Sequence, residues 1–232
     1  MRLAVMQPYF LPYIGYFQLI AAVDAIIVYD NIKYTKKGWI NRNRLLLNGA
    51  DAIFSLPLKK DSDSKSIAER ELAADFDRQK LLGQFRGAYI RAPFFKSVYP
   101  FLERLVHCRE QSLFHYLLSS LEELCGHLGI RTRIITSSNV VIDHGLKAQE
   151  KVLALCSAMG ARTYINPIGG MDLYQTDRFL GEGINLKFLK PGPLKYNQFA
   201  GEFVPWLSII DVLMFNSLDT VREHVTNSYE LI

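Results

Sequence analysis

Nowhere does this chain run about eighteen apolar residues without a break, the length that a membrane-spanning helix needs. Its opening apolar stretch stops at Gln7-Pro8, too short for a signal peptide, so a cytoplasmic protein is expected. Cysteine is scarce. Three residues, with no Cys-x-x-Cys pair, argue against a disulfide framework and against a structural zinc site. Cys108, Cys125 and Cys156 lie in apolar runs of helical character and read as small core residues in a reducing compartment. There is no strong excess of either charge: 27 Lys and Arg against 23 Asp and Glu leave +4, too little by itself to call for nucleic acid. Also missing are His-Glu-x-x-His, Gly-x-Ser-x-Gly, Gly-x-Gly-x-x-Gly, the Walker Gly-Lys-Ser/Thr and an Asp-x-Asp pair at a strand end. Neither a metal, a cofactor nor a serine or cysteine nucleophile is therefore expected. Repeats and low-complexity segments are absent too.

What is present is a chain that is 49% hydrophobic and 22% charged, enough to bury a sizeable core. "RLAVM" reads as a short strand stopped by Pro8, "YIGYFQLIAAVD" as an amphipathic helix, and "AIIVYD" as a strand covered on both faces. Two strand-like runs around Asn48-Gly49 predict a hairpin. "KKDSDSKS" is polar and reads as an exposed loop. Residues 75–91 read as a helix, and the stretch from Val98 to Gly129 as one long helical region kinked or started at Pro100. Further on, "RTRIITSS", "TYINP" and "INLKFLK" read as strands. "LKAQEKVLALCSAMGA" and "FVPWLSIIDVLMFNS" read as helices, with a glycine loop "IGGMDLY" after the second strand. The alternation predicts one α/β domain over residues 1–232. It has a mostly parallel sheet flanked by helices, an added β-hairpin and a helical insertion at about residues 75–129.

Ligands of parallel α/β sheets bind outside the carboxyl ends of the strands, and four stretches are expected to gather there. The first is Gln7 to Pro12. Two prolines stiffen it, Gln7 can donate and accept, and Tyr9, Tyr13 and Tyr16 offer flat faces with polar tips. The same residues could equally be core aromatics behind a strand stop. The second is "YDNIKYTKKGWINRNRLL". Asp30 ends a strand, and Lys33, Lys36, Lys37, Arg42 and Arg44 follow within twelve positions, with Trp39, Asn41 and Asn43 among them. Such residues suit phosphate and sugar oxygens, and Trp39 could stack on a base or a sugar. A solvated basic loop is the competing reading, and RNA binding a minority one.

The third stretch, Thr163 to Tyr174, ends a strand at Asn166-Pro167 and gives Gly169-Gly170 a backbone able to approach a ligand closely; an ordinary strand-to-helix turn reads as well. The fourth is "DHGLKAQEK". Lys147 and Lys151 share a helix face close to its N-terminus, where the dipole disfavours cations, so an anion nearby is one explanation. Gln149 is close by, and His144 is a conceivable base or simply a surface residue.

Together "AVMQPYFLPYIGYFQLI", "GWINRNRLL", "TYINPIGG..LY" and "LSIIDVLMFNS" resemble the WbqC-like family over essentially the whole chain, several blocks in order. The resemblance implies a place in O-antigen or other surface-polysaccharide synthesis, and glycine transfer onto a sugar as an activity. Members often carry His before the Gln-Pro; here the residue is Met6, so that acid–base group is missing. The strand, loop, helix and strand ending in Asp also look like the start of a nucleotidylyltransferase or Rossmann-like domain, without the histidine signature of those enzymes.

On this footing the chain is expected to be a transferase moving an acyl or aminoacyl group onto a nucleotide-linked amino sugar. An acyl or peptidyl carrier protein is a candidate donor. The alternative is a non-catalytic nucleotide-sugar or saccharide-binding module. Asp30 would act as general base or amine anchor. Gln7, Asn41 and Asn43 would orient hydroxyls and carbonyls, and Lys36, Lys37 and Arg42 would hold the diphosphate. Gln7, Tyr9, Asp30, Trp39, Arg42, Asn43 and Gly169-Gly170 would line one cleft. Tyr13, Lys147, Asn166 and Tyr174 are further substrate-binding candidates. Asp211, a carboxylate in the apolar run "LSIIDVLMF", must be paired or hydrogen-bonded if buried, either to Arg42 or Arg44 or as the cap of a neighbouring turn.

Overall fold

The protein is described by a computed structural model over residues 1–199 and 201–232. In chain order, β1 (Arg2–Met6), α1 (Ile14–Ala21) and β2 (Ala25–Val28) form the opening unit. They are followed by a hairpin of β3 (Arg42–Leu47) and β4 (Ala50–Ser55). Next come α2 (Arg78–Tyr89), α3 (Phe95–Val106) and α4 (Leu113–Leu128). Then follow β5 (Arg133–Thr136), α5 (Ala148–Ala158), β6 (Thr163–Pro167), α6 (Thr176–Gly181) and β7 (Asn185–Pro191). The chain closes with α7 (Ile209–Phe215), α8 (Leu218–Asn227) and β8 (Tyr229–Leu231).

The main sheet has the order β5-β2-β1-β6-β7-β8, parallel except for the last pair. The chain steps outward from β1 to β2 and β5, then returns to the other side of β1 for β6 and β7. The direction of winding therefore reverses between β1 and β6, which is where sheets of this kind open a crevice at their carboxyl edge. The α/β class with a mostly parallel sheet is as the alternating pattern predicts. β2 is buried at all four positions because helices cover both its faces, hence its unbroken apolar run.

Alternate strand residues feed two cores. Ala4, Ile26 and Val28 pack with α1, α8, the hairpin and α2–α4. Leu3, Val5, Ala25 and Ile27 pack with Val152, Leu155 and Cys156 of α5 and Phe179 of α6. The hairpin turns at Asn48-Gly49 with both residues at positive φ (52° and 80°), the conformation that its tight loop needs. It forms a separate two-stranded sheet that lies against α2 and α7 rather than extending the main one.

Several local expectations change. The region from Val98 to Gly129 is two helices. Pro100 sits inside α3, and the break comes at residues 107–112, where the Ser112 side chain caps α4; Gly129 closes α4 in the left-handed conformation. The segment 203–208 is irregular, so only the second half of "FVPWLSIIDVLMFNS" is helix. The "IGGMDLY" stretch is a 3-10 turn over Ile168–Leu173, and α6, α8 and β8 were not anticipated. Among the described residues no helix is long and apolar enough to cross a membrane, and no cluster of His, Cys, Asp and Glu is arranged to hold a metal. Burial pushes the Cys125 and Cys156 thiols up to about 12, in keeping with unreactive core residues.

Candidate functional site

Some of the anticipated residues fall in two cavities that share no lining residue, and the others, among them Gln7, Asp30, Asn41, Arg42 and Asp211, line neither. The first, of about 700 Å³, lies at the carboxyl edge of the sheet and straddles β1. Tyr29, Asn31 and Lys33 reach it from the end of β2, Leu173 and Tyr174 from the turn after β6, and His144, Lys147 and Lys151 from the start of α5. Three lysines and a histidine line it, and no carboxylate does.

Lys151 is its centre. Only 4% of the residue is exposed. Its Nζ donates to Asn31 Oδ1 at 3.1 Å and to the His144 carbonyl at 3.4 Å, and lies 5.6 Å from the centre of the Tyr29 ring. Burial pulls its pKa below the usual lysine value, and Asp30 only partly opposes this. The ammonium can only donate, so it holds Asn31 Oδ1 toward itself and turns Asn31 Nδ2 toward His144 Nδ1 at 2.9 Å; the Ser137 hydroxyl, 2.8 Å from Asn31 Oδ1, shares its one proton between Asn31 and Asp30. The His144 tautomer assigned by this network keeps its proton on Nε2. The ammonium is thus held by neutral acceptors, with Lys147 at the helix start of the same cavity and the Asp30 carboxylate offsetting its burial only in part.

Asp30 stands behind this group, buried. Its Oδ1 accepts from Ser137 Oγ at 2.7 Å and from the Ser138 amide at 3.0 Å. Burial pushes the carboxyl up, but hydrogen bonds from Ser138 and Ser137 outweigh it and hold the pKa below the usual carboxylate value. A carboxylate so placed ties the end of β2 to the end of β5 and is a weak base, which counts against the general-base role expected for it.

The second cavity, about 240 Å³, is lined by Tyr9, Pro12, Tyr13, Trp39, Asn43, Arg44 and Trp206. The expected single cleft is thus two. Tyr9, Trp39 and Asn43 belong here, with the layer of α1 and the hairpin. Lys147 and Tyr174 belong to the lysine cavity, with the layer of α5. Gln7 lines neither; its carbonyl accepts from the Tyr16 hydroxyl at 2.8 Å.

The polar side chains of the basic loop are mostly spent inside the chain. Asn41 Oδ1 accepts from the Tyr34 hydroxyl and its Nδ2 donates to the Leu56 carbonyl (2.8 Å). Asn43 Nδ2 donates to the Phe10 and Leu11 carbonyls at 3.1 and 3.0 Å, pinning the first loop where Leu11 takes a φ of 46°. Both amides are thus used to hold the loop. Lys36 pairs with Asp63 at 2.6 Å, and Arg42 donates to the Gly38 and Lys37 carbonyls, so the expected diphosphate clamp of Lys36, Lys37 and Arg42 does not assemble.

Asn166 and Gly170 are also structural. Asn166 accepts from the Tyr164 hydroxyl (3.1 Å), and a Cβ on Gly170 would come 2.1 Å from Asn166 Nδ2. Gly169 is exposed and, like Gly170, lines neither cavity. Asp211 is fully buried and faces neither Arg42 nor Arg44. Instead Tyr89 (2.9 Å), Tyr196 (2.5 Å) and Gln198 (2.8 Å) donate to it. Arg44 is occupied by Asp51 (3.4 Å) and the Trp206 carbonyl (3.1 Å), both nearer the surface. Burial raises the Asp211 pKa, and the three neutral donors counter that only in part.

Residue types alone did not bring out Tyr29, Asn31 or Trp206. Asn31 directly follows a strand end, which is the one local signal it carries; Trp206 is hidden in an apolar run that reads as helix.

A family model described as the WbqC-like protein family matches residues 7–223. An uncharacterised protein of Mycobacterium tuberculosis is 29% identical over 223 residues, covering 93% of each chain. No solved structure gives a significant match.

Proposed function

The chain belongs to the WbqC-like protein family, and on that premise we propose that it is a transferase of bacterial surface-polysaccharide synthesis. It would move an acyl or aminoacyl group, glycyl being one, onto the amino group of a nucleotide-linked sugar. The observation that carries this reading is the cavity lined by Lys33, Lys147 and Lys151 with no carboxylate in its lining, at the edge where parallel sheets bind ligands. In this reading the lysines hold the diphosphate of the nucleotide-sugar, and the Tyr29 and Tyr174 rings flank the base or the sugar. His144 offers its Nε2–H toward the reacting carbonyl. The acyl donor is a thioester, carrier-bound or of coenzyme A: the sugar amine forms the new C–N bond, the C–S bond breaks, and the proton lost by the amine leaves with the thiol.

The test has two stages. Pyrophosphate, UDP-sugars and dTDP-sugars are added singly while thermal stability is followed. A ligand at about 100-fold over its dissociation constant contributes about 2.7 kcal/mol. Candidate acyl donors are then added and products sought by mass. Absence of stabilisation by every diphosphate refutes the reading. A second reading, a binding module without catalysis, is favoured by Met6 in the position where His is common and by the tied-up carboxylate of Asp30. Binding without product in every combination would select it.

A further inference from the structure

We propose that the groove walled by Tyr9, Tyr13, Trp39, Arg44 and Trp206 is a separate saccharide site, taking a neutral pyranose ring stacked on the two indoles. It does not depend on the reading of the lysine cavity, with which it shares no residue. The chain has two tryptophans, and both are here, 38% and 62% exposed. Folding has no use for large rings left in water, so paired exposed indoles mark a binding surface.

They are held rather than loose. The Arg44 guanidinium lies 5.4 Å from the Trp39 ring centre while its Nη2 donates to the Trp206 carbonyl at 3.1 Å, one side chain bracing both. Tyr13 meets Trp206 edge-to-face at 5.9 Å. Its ring lies where a Cβ on Gly15 would stand, 2.4 Å away, so glycine there leaves the space that the ring occupies. Trp206 itself has a φ of 61°, a left-handed conformation that costs a bulky residue on the order of 1–3 kcal/mol. Such strain persists where the surroundings impose it, and here it turns an indole outward.

The chemistry of the wall selects the ligand. The flat faces of Trp and Tyr suit the C–H face of a sugar ring. The Tyr9 and Tyr13 hydroxyls, which make no hydrogen bond among the described residues, suit its hydroxyl groups. Phosphate is disfavoured: Arg44 is committed to Asp51 and a carbonyl, and Arg42 to the carbonyls of its own loop. A second hollow of about 420 Å³ adjoins through Tyr13 and Trp206 and is lined by Leu194, Tyr196 and Pro205, giving room for a further ring or an aglycone.

Because both tryptophans are in the groove, tryptophan fluorescence excited beyond the tyrosine band reports on the groove and the hollow that adjoins it. The protein is titrated with the methyl glycosides of glucose, galactose, mannose, N-acetylglucosamine and a 6-deoxy-aminohexose, with UMP and pyrophosphate as controls. The expected result is a saturable change with at least one glycoside and none with the controls. Affinity is read by calorimetry in the variants. Trp206→Ala and Tyr13→Ala should each weaken it by roughly tenfold or more, while Lys151→Met leaves it unchanged. The proposal is overturned by flat emission across the panel, by a response confined to UMP, or by emission that depends on protein concentration alone, which would mean that a second copy covers the indoles.

Discussion

Lys151→Met separates a lysine kept for an anion from one kept for the fold. Methionine has a similar length and can fill the same space. The variant loses the bond to Asn31, roughly 1.5–3 kcal/mol for a charged donor, the long, weaker one to the His144 carbonyl, and the contact with Tyr29, roughly 0.5–1 kcal/mol. It also relieves the burial of an ammonium that has no salt-bridge partner among the described residues, a penalty of several kcal/mol. Asn31 Oδ1 keeps a share of the Ser137 proton at 2.8 Å, which Asp30 also draws on, so the lost bond is replaced only in part. The terms nearly cancel, and stability should change by no more than about 1 kcal/mol, or Tm by about 4 °C. Binding of pyrophosphate or a nucleotide diphosphate should fall much further. Removing one member of a buried charge contact costs about 2–5 kcal/mol, roughly 30- to 4,000-fold. Thermal melting and calorimetry on the same preparations measure both. The sign with pH follows from the lowered lysine pKa: the unfolded chain holds the proton more tightly. Wild-type stability relative to the variant should therefore rise as pH climbs through the lowered pKa toward 10.5. A variant that melts more than about 8 °C lower, yet binds diphosphate unchanged, would show Lys151 to be a structural residue and refute the argument.

Asp211→Ala should unfold early. Tyr89, Tyr196 and Gln198 lose their acceptor in a buried place, at roughly 1–3 kcal/mol per stranded group, and a Tm fall of under about 3 °C would contradict this. Two carboxylates should show opposite pH signs in urea melts. Asp30, with its pKa lowered, contributes stability above the ordinary carboxylate range that is lost as pH falls through the lowered value. The Asp30→Asn penalty should therefore shrink in acid. Asp211, with its pKa raised, contributes stability at low pH that is lost as pH rises through the raised value, so wild type should lose ground to Asp211→Asn between those limits. Gly192→Ala places a Cβ 2.8 Å from the Ser228 carbonyl; hydrogen exchange should quicken in β8, and unchanged protection there would show that the backbone gives way easily.

The α/β alternation, the parallel strands and the Asn48-Gly49 hairpin were legible because each is a local pattern: a period, a continuous apolar run, a turn that needs positive φ. A cavity at the carboxyl edge of the sheet is what the topology leads one to expect. The partners of polar side chains were not legible. Asn41, Asn43 and Arg42 look like substrate ligands in the sequence, yet they close their own loop, because the carbonyls they meet are brought there by Leu56, Phe10 and the Lys37-Gly38 turn. Asp211 had to find donors once buried, and that much its apolar neighbours determined. Which donors depended on the segment 192–199 folding back to deliver Tyr196 and Gln198, and no local rule encodes a contact of that kind. The split of one expected cleft into two cavities has the same origin. Asn31, just past the end of β2, meets Lys151 in the first turns of α5, whereas Trp39 lies in the loop before the hairpin and shares its cavity with Trp206, 167 positions away in an irregular segment that packs on the side of α1.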